Sequence, residues 1–180
     1  MNLILFGFKA SGKTHFGKLL ALNMNRPFID LDDVVSELYA QKNTKHLRTN
    51  EIYKKIGGPA FRLLEKEAVK TLKNLDNAII ALGGGTVLDP ENVELLLKIG
   101  AMVYLETSHE TLRKRIFRDE LPAFFNKDDP ERSFLMMIHE RKPIYESIPA
   151  QKINTETLDE AGVIAALRSI LILEEPPNGF

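Results

Sequence analysis

The chain has 180 residues, a length that suits one domain with a sizeable core. Its net charge of -1 at pH 7 argues against a general nucleic-acid binder, and the lack of cysteine excludes a disulfide scaffold, a cysteine zinc site and a thiol nucleophile. No run approaches the roughly 20 apolar residues that a membrane helix needs, so we expect a cytoplasmic protein with no membrane or nucleic-acid partner.

The first predicted element is a buried strand from Leu3 to Phe6, and a phosphate-binding motif follows it. Residues 7–14 read GFKASGKT, which fits G-x-x-x-x-G-K-[ST] without a mismatch, and a helical pattern runs from His15 to Met24. The glycines let the backbone curl so that its N–H groups point at phosphate oxygens. Lys13 then supplies charge for the β- and γ-phosphates, and Thr14 supplies a hydroxyl for Mg²⁺.

The motif predicts a nucleoside triphosphate but leaves the class of enzyme open. The apolar run with Asp-Glu that motor ATPases carry is missing, and the compact size favours a small-molecule kinase. Within this segment we interpret Lys9 as a solvated side chain and His15 as a residue on the surface of the helix.

The second predicted strand, Phe28 to Leu31, leads into a cluster of carboxylates. Alternation along a strand would turn Asp30 and Asp32 to the same side, at the edge of a parallel sheet where ligands bind. One carboxylate could reach Mg²⁺ through water, and the other could orient an acceptor hydroxyl. We interpret Asp33 as the cap of the following helix.

Two arginines and a glycine run complete the candidate acceptor site. Arg62 follows the helix start at Pro59, with Glu65 three residues later to hold it in place. A third strand, Ala78 to Leu82, ends in Gly83-Gly84-Gly85, which predicts a close approach to the backbone or unusual backbone angles. Arg141 precedes Lys142-Pro143, and a pair of arginines in one pocket would predict an anionic substrate.

Strands and helices alternate through the rest of the chain. Further strands are predicted at Met102 to Leu105 and Gln151 to Asn154; helix starts are predicted at Asp89-Pro90, at Asp129-Pro130 and at a capping box formed by Thr107 and Glu110. This alternation indicates a parallel sheet covered by helices on both faces.

The segment from Arg118 to Arg132 is long, charged and irregular, which favours a lid over an active site rather than a plain solvated loop. We expect one kinase domain over residues 1–173, with this lid at about 118–132, and a flexible tail at 174–180.

Taken in chain order, the motifs resemble those of shikimate kinase. The matching pieces are GFKASGKT, FIDLDD, FRLLE, LGGG, VYLE, LRKR and RKPIY. The resemblance implies an α/β three-layer P-loop NTPase fold of the nucleoside monophosphate kinase type, with a five-stranded parallel sheet. It also implies transfer of the ATP γ-phosphate to the 3-hydroxyl of shikimate, on the route to chorismate and the aromatic amino acids, with Mg²⁺ as cofactor.

The resemblance also implies roles for individual residues. It assigns catalysis to Lys13 and Asp32; ATP binding to Ala10, Ser11, Gly12, Lys13, Thr14, His15 and Arg115; acceptor binding to Asp32, Arg62, Gly83, Gly84, Gly85 and Arg141; and the metal to Thr14 and Asp30. The loop around Thr155 to Leu158 would close over the adenine.

Two positions depart from the family pattern. Ala10 stands where the family usually has glycine, and Leu121-Pro122-Ala123 lacks the lid arginine that reaches the ATP phosphates. Such an arginine can be worth on the order of 10³ to 10⁵ in rate in related chemistry. Our hypothesis is that Arg118 replaces it, with Arg132 as second choice.

Two other functions stay open on the sequence alone. One is a kinase of the same fold for another small metabolite, such as gluconate, and the other is a catalytically weak nucleotide-binding relative. In each case we expect a monomer that binds small molecules.

Overall fold

The computed structural model describes residues 1–174, and its centre is a sheet of five parallel strands in the order β2-β3-β1-β4-β5. The strands are β1 Asn2–Phe6, β2 Phe28–Asp30, β3 Ile79–Ala81, β4 Gly100–Glu106 and β5 Gln151–Asn154. All four pairings are parallel, which confirms the predicted sheet.

Eight α-helices connect and cover the strands within this part of the chain. They are α1 Lys13–Met24, α2 Leu31–Asn43, α3 Thr49–Ile56, α4 Gly58–Thr71, α5 Pro90–Ile99, α6 His109–Arg118, α7 Pro130–Ser147 and α8 Glu160–Glu174. None of the helices within residues 1–174 combines the length and apolar character that crossing a membrane requires.

The core lies on both faces of the sheet, as the apolar strands predict. Leu3 and Leu5 of β1 pack with residues of α1 and α8 on one face. Ile4 and Phe6 point the other way, into a larger cluster with residues of α2, α4, α5, α6 and α7. The result is three layers, helices–sheet–helices, which is the predicted fold class.

The carboxylate cluster after β2 folds differently from the prediction. The strand ends at Asp30, whose Oδ1 accepts a hydrogen bond from the backbone N–H of Asp32 at 3.1 Å and so caps α2. Asp32 therefore lies in the first helical turn rather than on a strand, and our interpretation of Asp33 as the cap was wrong. Asp30 is preferred because an N-cap needs the extended backbone that the end of a strand already has.

Helix starts were predicted well, with one exception and one omission. Asp89 and Asp129 cap α5 and α7 as expected. The predicted capping box at Thr107 was wrong, because Ser108 is the cap of α6. The Thr107 hydroxyl is instead hydrogen-bonded to the hydroxyl of Thr155, the residue after β5. The sequence reading also missed α3 altogether.

The sheet places the candidate site residues at one edge. The phosphate loop follows β1, Asp30 ends β2 and the glycine run follows β3, so all three meet at the carboxyl ends of adjacent strands. The irregular segment runs from 119 to 129 between α6 and α7, slightly shorter than predicted. The expected flexible tail lies outside the described residues, except for the backbone of residue 174.

Candidate active site

The loop between β1 and α1 has the backbone of a phosphate cradle. Gly7, Ala10 and Gly12 all have positive φ angles, of 142°, 67° and 97°. Ala10 is the one non-glycine residue of these three, and the left-handed conformation costs an L-residue roughly 1–2 kcal/mol. Ser11 is buried, and its hydroxyl has no hydrogen-bond partner within residues 1–174. The loop therefore holds a strained backbone and an unused polar group where phosphate is expected.

Lys13 is held inside this loop. Its ammonium donates hydrogen bonds to the carbonyl oxygens of Gly7, at 3.1 Å, and Phe8, at 2.8 Å. Burial lowers the pKa of Lys13 to about 8, although the nearby carboxylates of Asp32 and Asp30 act in the opposite direction. The lysine is thus a desolvated cation, which strengthens its interaction with an anionic ligand.

Thr14 and Asp30 offer a pair of oxygen ligands. The Thr14 hydroxyl donates to Oδ2 of Asp30 at 2.8 Å. Hydroxyl and carboxylate oxygens suit Mg²⁺, which is usually held by one or two protein oxygens, water and substrate phosphates. No group of three or more His, Asp or Glu side chains within residues 1–174 is arranged to hold a metal. A magnesium ion here would therefore take most of its ligands from ATP and water.

Asp32 faces the acceptor side of the cavity. Its Oδ1 lies 3.2 Å from where a Cβ on Gly83 would stand. Water reaches the carboxylate from the cleft, but the surrounding protein atoms raise the pKa of Asp32 to about 6 through lost hydration. Asp30 adds to this shift and Lys13 opposes it. A carboxylate with this pKa is suited to accept a proton near neutral pH.

Both predicted arginines converge on the glycine run. The Arg62 guanidinium occupies the space that a side chain on Gly85 would need, and Arg141 Nη1 donates to the Gly84 carbonyl at 3.3 Å. A Cβ on Gly84 would lie 3.2 Å from the backbone nitrogen of Lys9 in the phosphate loop. Gly84 and Gly85 have no positive φ, so close approach explains these glycines rather than unusual backbone angles.

Buried polar contacts hold the arginines in place. Arg62 forms an ion pair with Glu65, as the i, i+3 spacing predicted, and Glu65 also accepts a hydrogen bond from the Thr86 hydroxyl at 2.8 Å. One turn after Arg141 on α7, the Tyr145 hydroxyl donates to the Gly84 carbonyl. Burial raises the pKa of Tyr145 to about 12, so this hydroxyl keeps its proton.

These groups line one cavity of about 230 Å³. Its walls comprise Lys9, Ala10, Lys13, Thr14, Asp30, Asp32, Thr49, Asn50, Tyr53, Phe61, Arg62, Glu65, Leu82, Gly83, Gly84, Gly85, Pro122, Ala123, Phe124 and Arg141. The phosphate loop, the raised-pKa carboxylate and both arginines therefore face one space, although they come from distant parts of the chain.

A second cleft opens on the outer side of the phosphate loop. It is lined by Ala10, Gly12, Lys13, Thr14, His15, Arg115, Arg118 and Asp119. Arg115 donates to the Ala10 carbonyl at 2.9 Å, whereas the Arg118 side chain is 78% exposed and approaches Asp119 at 3.9 Å. The cleft thus brings two cations to the loop from the end of α6.

Three further residues or segments were predicted on the nucleotide side, and His15 is the one that lines this cleft. The imidazole of His15 is 2.6 Å from the carboxylate of Glu160 on α8. Glu156, within the loop expected over the adenine, accepts hydrogen bonds from the backbone and side chain of Ser108. Arg132 is exposed in the first turn of α7, where its backbone N–H donates to the Asp129 carboxylate at 3.1 Å.

The sequence reading missed several residues of the cavity. Our interpretation of Lys9 as solvated was wrong, because it is half-buried and bonded to the lid. Asn50 and Tyr53 come from the unpredicted α3, and Phe124 from the lid. The aromatic pair Phe124-Phe125 in a charged segment was the one sequence signal that could have indicated buried lid contacts.

The sequence also matches a family of known proteins. A family model described as Shikimate kinase matches residues 9–171. The shikimate kinase of Caldicellulosiruptor saccharolyticus is 34% identical over 174 residues, which cover 97% of each chain. That of Thermoanaerobacter pseudethanolicus is 35% identical over 144 residues, covering 80% of this chain and 81% of the relative.

Solved structures agree with the sequence matches. Shikimate kinase from Acinetobacter baumannii, determined in complex with shikimate, aligns with a TM-score of 0.83 at 25% identity and covers 98% of this chain and 95% of its own. Shikimate kinase from Aquifex aeolicus aligns with a TM-score of 0.73 at 26% identity, covering 96% of both chains.

Proposed function

The chain belongs to the shikimate kinase family, whose members are ATP-dependent kinases, and on this premise we propose that it transfers the γ-phosphate of ATP to the 3-hydroxyl of shikimate. The observation that carries the proposal is the shared cavity. Lys13 of the phosphate loop, Asp32 and the arginine pair Arg62 and Arg141 all line it. That set provides a place for a triphosphate, an acceptor hydroxyl and an acceptor carboxylate.

Each group has a role in a direct in-line transfer without a covalent enzyme intermediate. The backbone of the phosphate loop and Lys13 bind the β- and γ-phosphates. Arg62 and Arg141 bind the shikimate carboxylate, since planar guanidinium groups match carboxylates in charge and geometry. Gly83 to Gly85 let the ring approach the backbone, and Asp32 orients the attacking hydroxyl. Most of the catalysis is positioning and charge stabilisation.

The proposed magnesium site is the pair Thr14 and Asp30. Their oxygen atoms are 2.8 Å apart beside the start of α1. When bound with ATP, Mg²⁺ would neutralise charge on the phosphate oxygens.

On the nucleotide side we assign ATP binding to Ala10, Ser11, Gly12, His15 and Arg115, in addition to Lys13 and Thr14. Arg118 takes the part of the missing lid arginine, and its position in the cleft beside the phosphate loop supports this choice over Arg132.

The remaining assignments concern the whole molecule. We propose that residues 1–173 form one kinase domain that acts as a monomer in the cytoplasm. Its partners are then ATP and shikimate, with no nucleic acid or membrane. The net charge of -1 and the absence of cysteine support this setting.

An acceptor panel tests the proposal. ADP release is followed in a coupled assay with ATP and Mg²⁺, offering shikimate or gluconate, and ³¹P NMR identifies the phosphorylated hydroxyl. We expect ADP release with shikimate and phosphate on its 3-hydroxyl. Turnover of gluconate instead would identify a kinase for another metabolite, and ATP binding without acceptor-dependent ADP release would identify a catalytically weak relative.

A further inference from the structure

Lys9 connects the phosphate loop with the lid. Its backbone belongs to the cradle of residues 7–14, but its side chain leaves the loop toward the acceptor cavity. The Lys9 ammonium donates a hydrogen bond to the carbonyl oxygen of Glu120, in the segment between α6 and α7, at 3.1 Å. This bond spans 111 residues of sequence.

The surroundings of Lys9 are not those of a free surface lysine. The residue is half-buried, and burial lowers its pKa, while the carboxylates of Glu120, Asp32 and Asp119 favour the charged form. Within residues 1–174 one of the three donors of the ammonium is used, by Glu120. The ammonium therefore contacts the lid backbone and interacts electrostatically with Asp32, the carboxylate expected to orient the acceptor.

The lid itself brings negative charge to this place. It begins Asp119-Glu120-Leu121-Pro122, with two carboxylates and no cation. The Glu120 carboxylate forms ion pairs with Lys54 of α3, at 2.9 Å, and with Arg48, the residue before α3, at 3.5 Å. The first lid residues are thus held by cations from two directions, with Lys9 on the side of the phosphates.

The contacts further along the lid close the acceptor side of the cavity. Phe124 lies over the Arg141 guanidinium, with 4.5 Å between the guanidinium carbon and the ring centre, and also contacts the Tyr53 ring. Phe125 is buried in the main core. When the lid start is held by Lys9, Phe124 covers the arginine proposed to bind the acceptor, and Phe125 anchors the lid in the core.

We propose that Lys9 is a positioning residue for phosphate transfer, whose ammonium joins the phosphate loop to the lid and holds the lid closed over the acceptor half of the cavity. The proposal rests on the proposed function for the identity of the acceptor. Because the same residue contributes its backbone to the cradle, a ligand that orders the loop also orders the attachment point of the lid. Loss of the contact would admit water and allow hydrolysis of ATP.

Three variants test this role. Lys9→Met keeps most of the side-chain length and removes the ammonium, Lys9→Arg keeps a cation, and Lys127→Met is the matched control. Lys127 is an exposed lid lysine that has no hydrogen bond or ion pair among the described residues. Two measurements are made: hydrogen exchange of the backbone amides of residues 120, 121 and 123–125 without substrates, and the ratio of acceptor phosphorylation to acceptor-independent ATP hydrolysis.

We expect Lys9→Met to increase the exchange rates and to lower kcat/KM for shikimate, each about tenfold, the effect of one charge-assisted hydrogen bond. KM for ATP should stay unchanged while the share of ATP lost to hydrolysis rises. Lys9→Arg should restore most of both properties, and Lys127→Met should match the wild type.

Unchanged lid exchange in Lys9→Met, or a Lys9→Arg variant no better than Lys9→Met, would overturn the proposal. If the wild type does not phosphorylate shikimate, the proposed function fails, but the exchange measurement still decides whether Lys9 holds the lid.

Discussion

At the level of single residues, the carboxylate of Asp32 carries the clearest chemical expectation. Its pKa is raised to about 6, chiefly because surrounding protein atoms remove part of its hydration, so the ionised form that accepts a proton is lost below that pH. We expect kcat/KM for shikimate to decrease on the acid side with an apparent pKa near 6. A pH profile of Asp32→Asn checks the assignment: its activity should be about 10²–10⁴-fold lower and lack this limb. The same limb in the variant would assign it to another group.

The same carboxylate should reduce stability at neutral pH. The folded-state pKa of Asp32, about 6, lies above the ordinary value of 3.8, so the folded protein binds this proton more tightly and loses stability as the pH rises between those values. Asp32→Asn removes this effect. Thermal unfolding should give a higher Tm than wild type at pH 7.5 and a smaller difference at pH 4.

Asp33→Asn is the matched control for that experiment, because Asp33 lies in the same first turn of α2 and interacts similarly with the helix dipole. A difference between Asp32→Asn and the wild type that does not change with pH would refute the linkage.

Ala10 should be a site of stored backbone strain. Its φ of 67° favours glycine, so Ala10→Gly should stabilise the protein by up to about 1 kcal/mol despite the greater freedom of glycine in the unfolded chain. Ala165→Gly, at an exposed position in α8, should instead destabilise by about 1 kcal/mol. Urea unfolding of both variants measures the two effects, and a loss of stability in both would show that Ala10 is not strained.

At the level of elements, the lid and α3 determine what the acceptor cavity contains. The lid segment starts where α6 ends, so Arg118 lies at the hinge rather than over the cavity. Its side chain faces the outer side of the phosphate loop, while the lid proper contributes Pro122, Ala123 and Phe124 to the acceptor side. A positively charged side chain that stabilises the transferred phosphate must therefore come from the end of α6 or from the phosphate loop.

The hinge arginine can be tested by removal. Arg118→Ala should lower kcat with ATP and shikimate by more than about fivefold, because a cation near the phosphates stabilises the charge of the transition state. Arg132→Ala, in the first turn of α7, serves as the control and should change kcat by less than twofold or so. A change of under about fivefold in Arg118→Ala would reject the role of Arg118.

Leu121→Arg, measured in the same assay, would show whether a cation on the lid itself raises the rate. We expect an increase in kcat, since Leu121 is where the resemblance implies an arginine that reaches the ATP phosphates.

At the level of the whole molecule, the sequence predicted those features that depend on local patterns. The five strands follow from short apolar runs, and the phosphate loop follows from its fixed spacing of glycine, lysine and threonine. The caps at Asp89 and Asp129 follow from Asp-Pro pairs. Such features need only neighbouring residues, so one sequence is enough to find them.

What the sequence could not predict depends on contacts between distant segments. The bond from Lys9 to Glu120 spans two loops, and α3 has few buried residues of its own to mark it. The strand pattern was extended to Asp32 because the sequence does not show where β2 ends. That end depends on whether Asp30 caps the next helix or continues the strand, and both local conformations suit the sequence. The positions of these residues follow from packing that alternation along the chain does not encode.

In the proposed complex, Arg62 and Arg141, two arginines from distant helices, bind the carboxylate of the acceptor in one cavity with the phosphate loop. The most direct measurement compares kcat/KM for shikimate with kcat/KM for its methyl ester, in the wild type and in Arg141→Met. We predict that the wild type prefers the acid by on the order of 10²-fold or more, and that the variant loses most of this preference. Equal use of acid and ester by the wild type, or an Arg141→Met variant that loses activity on both while keeping their ratio, would contradict the claim.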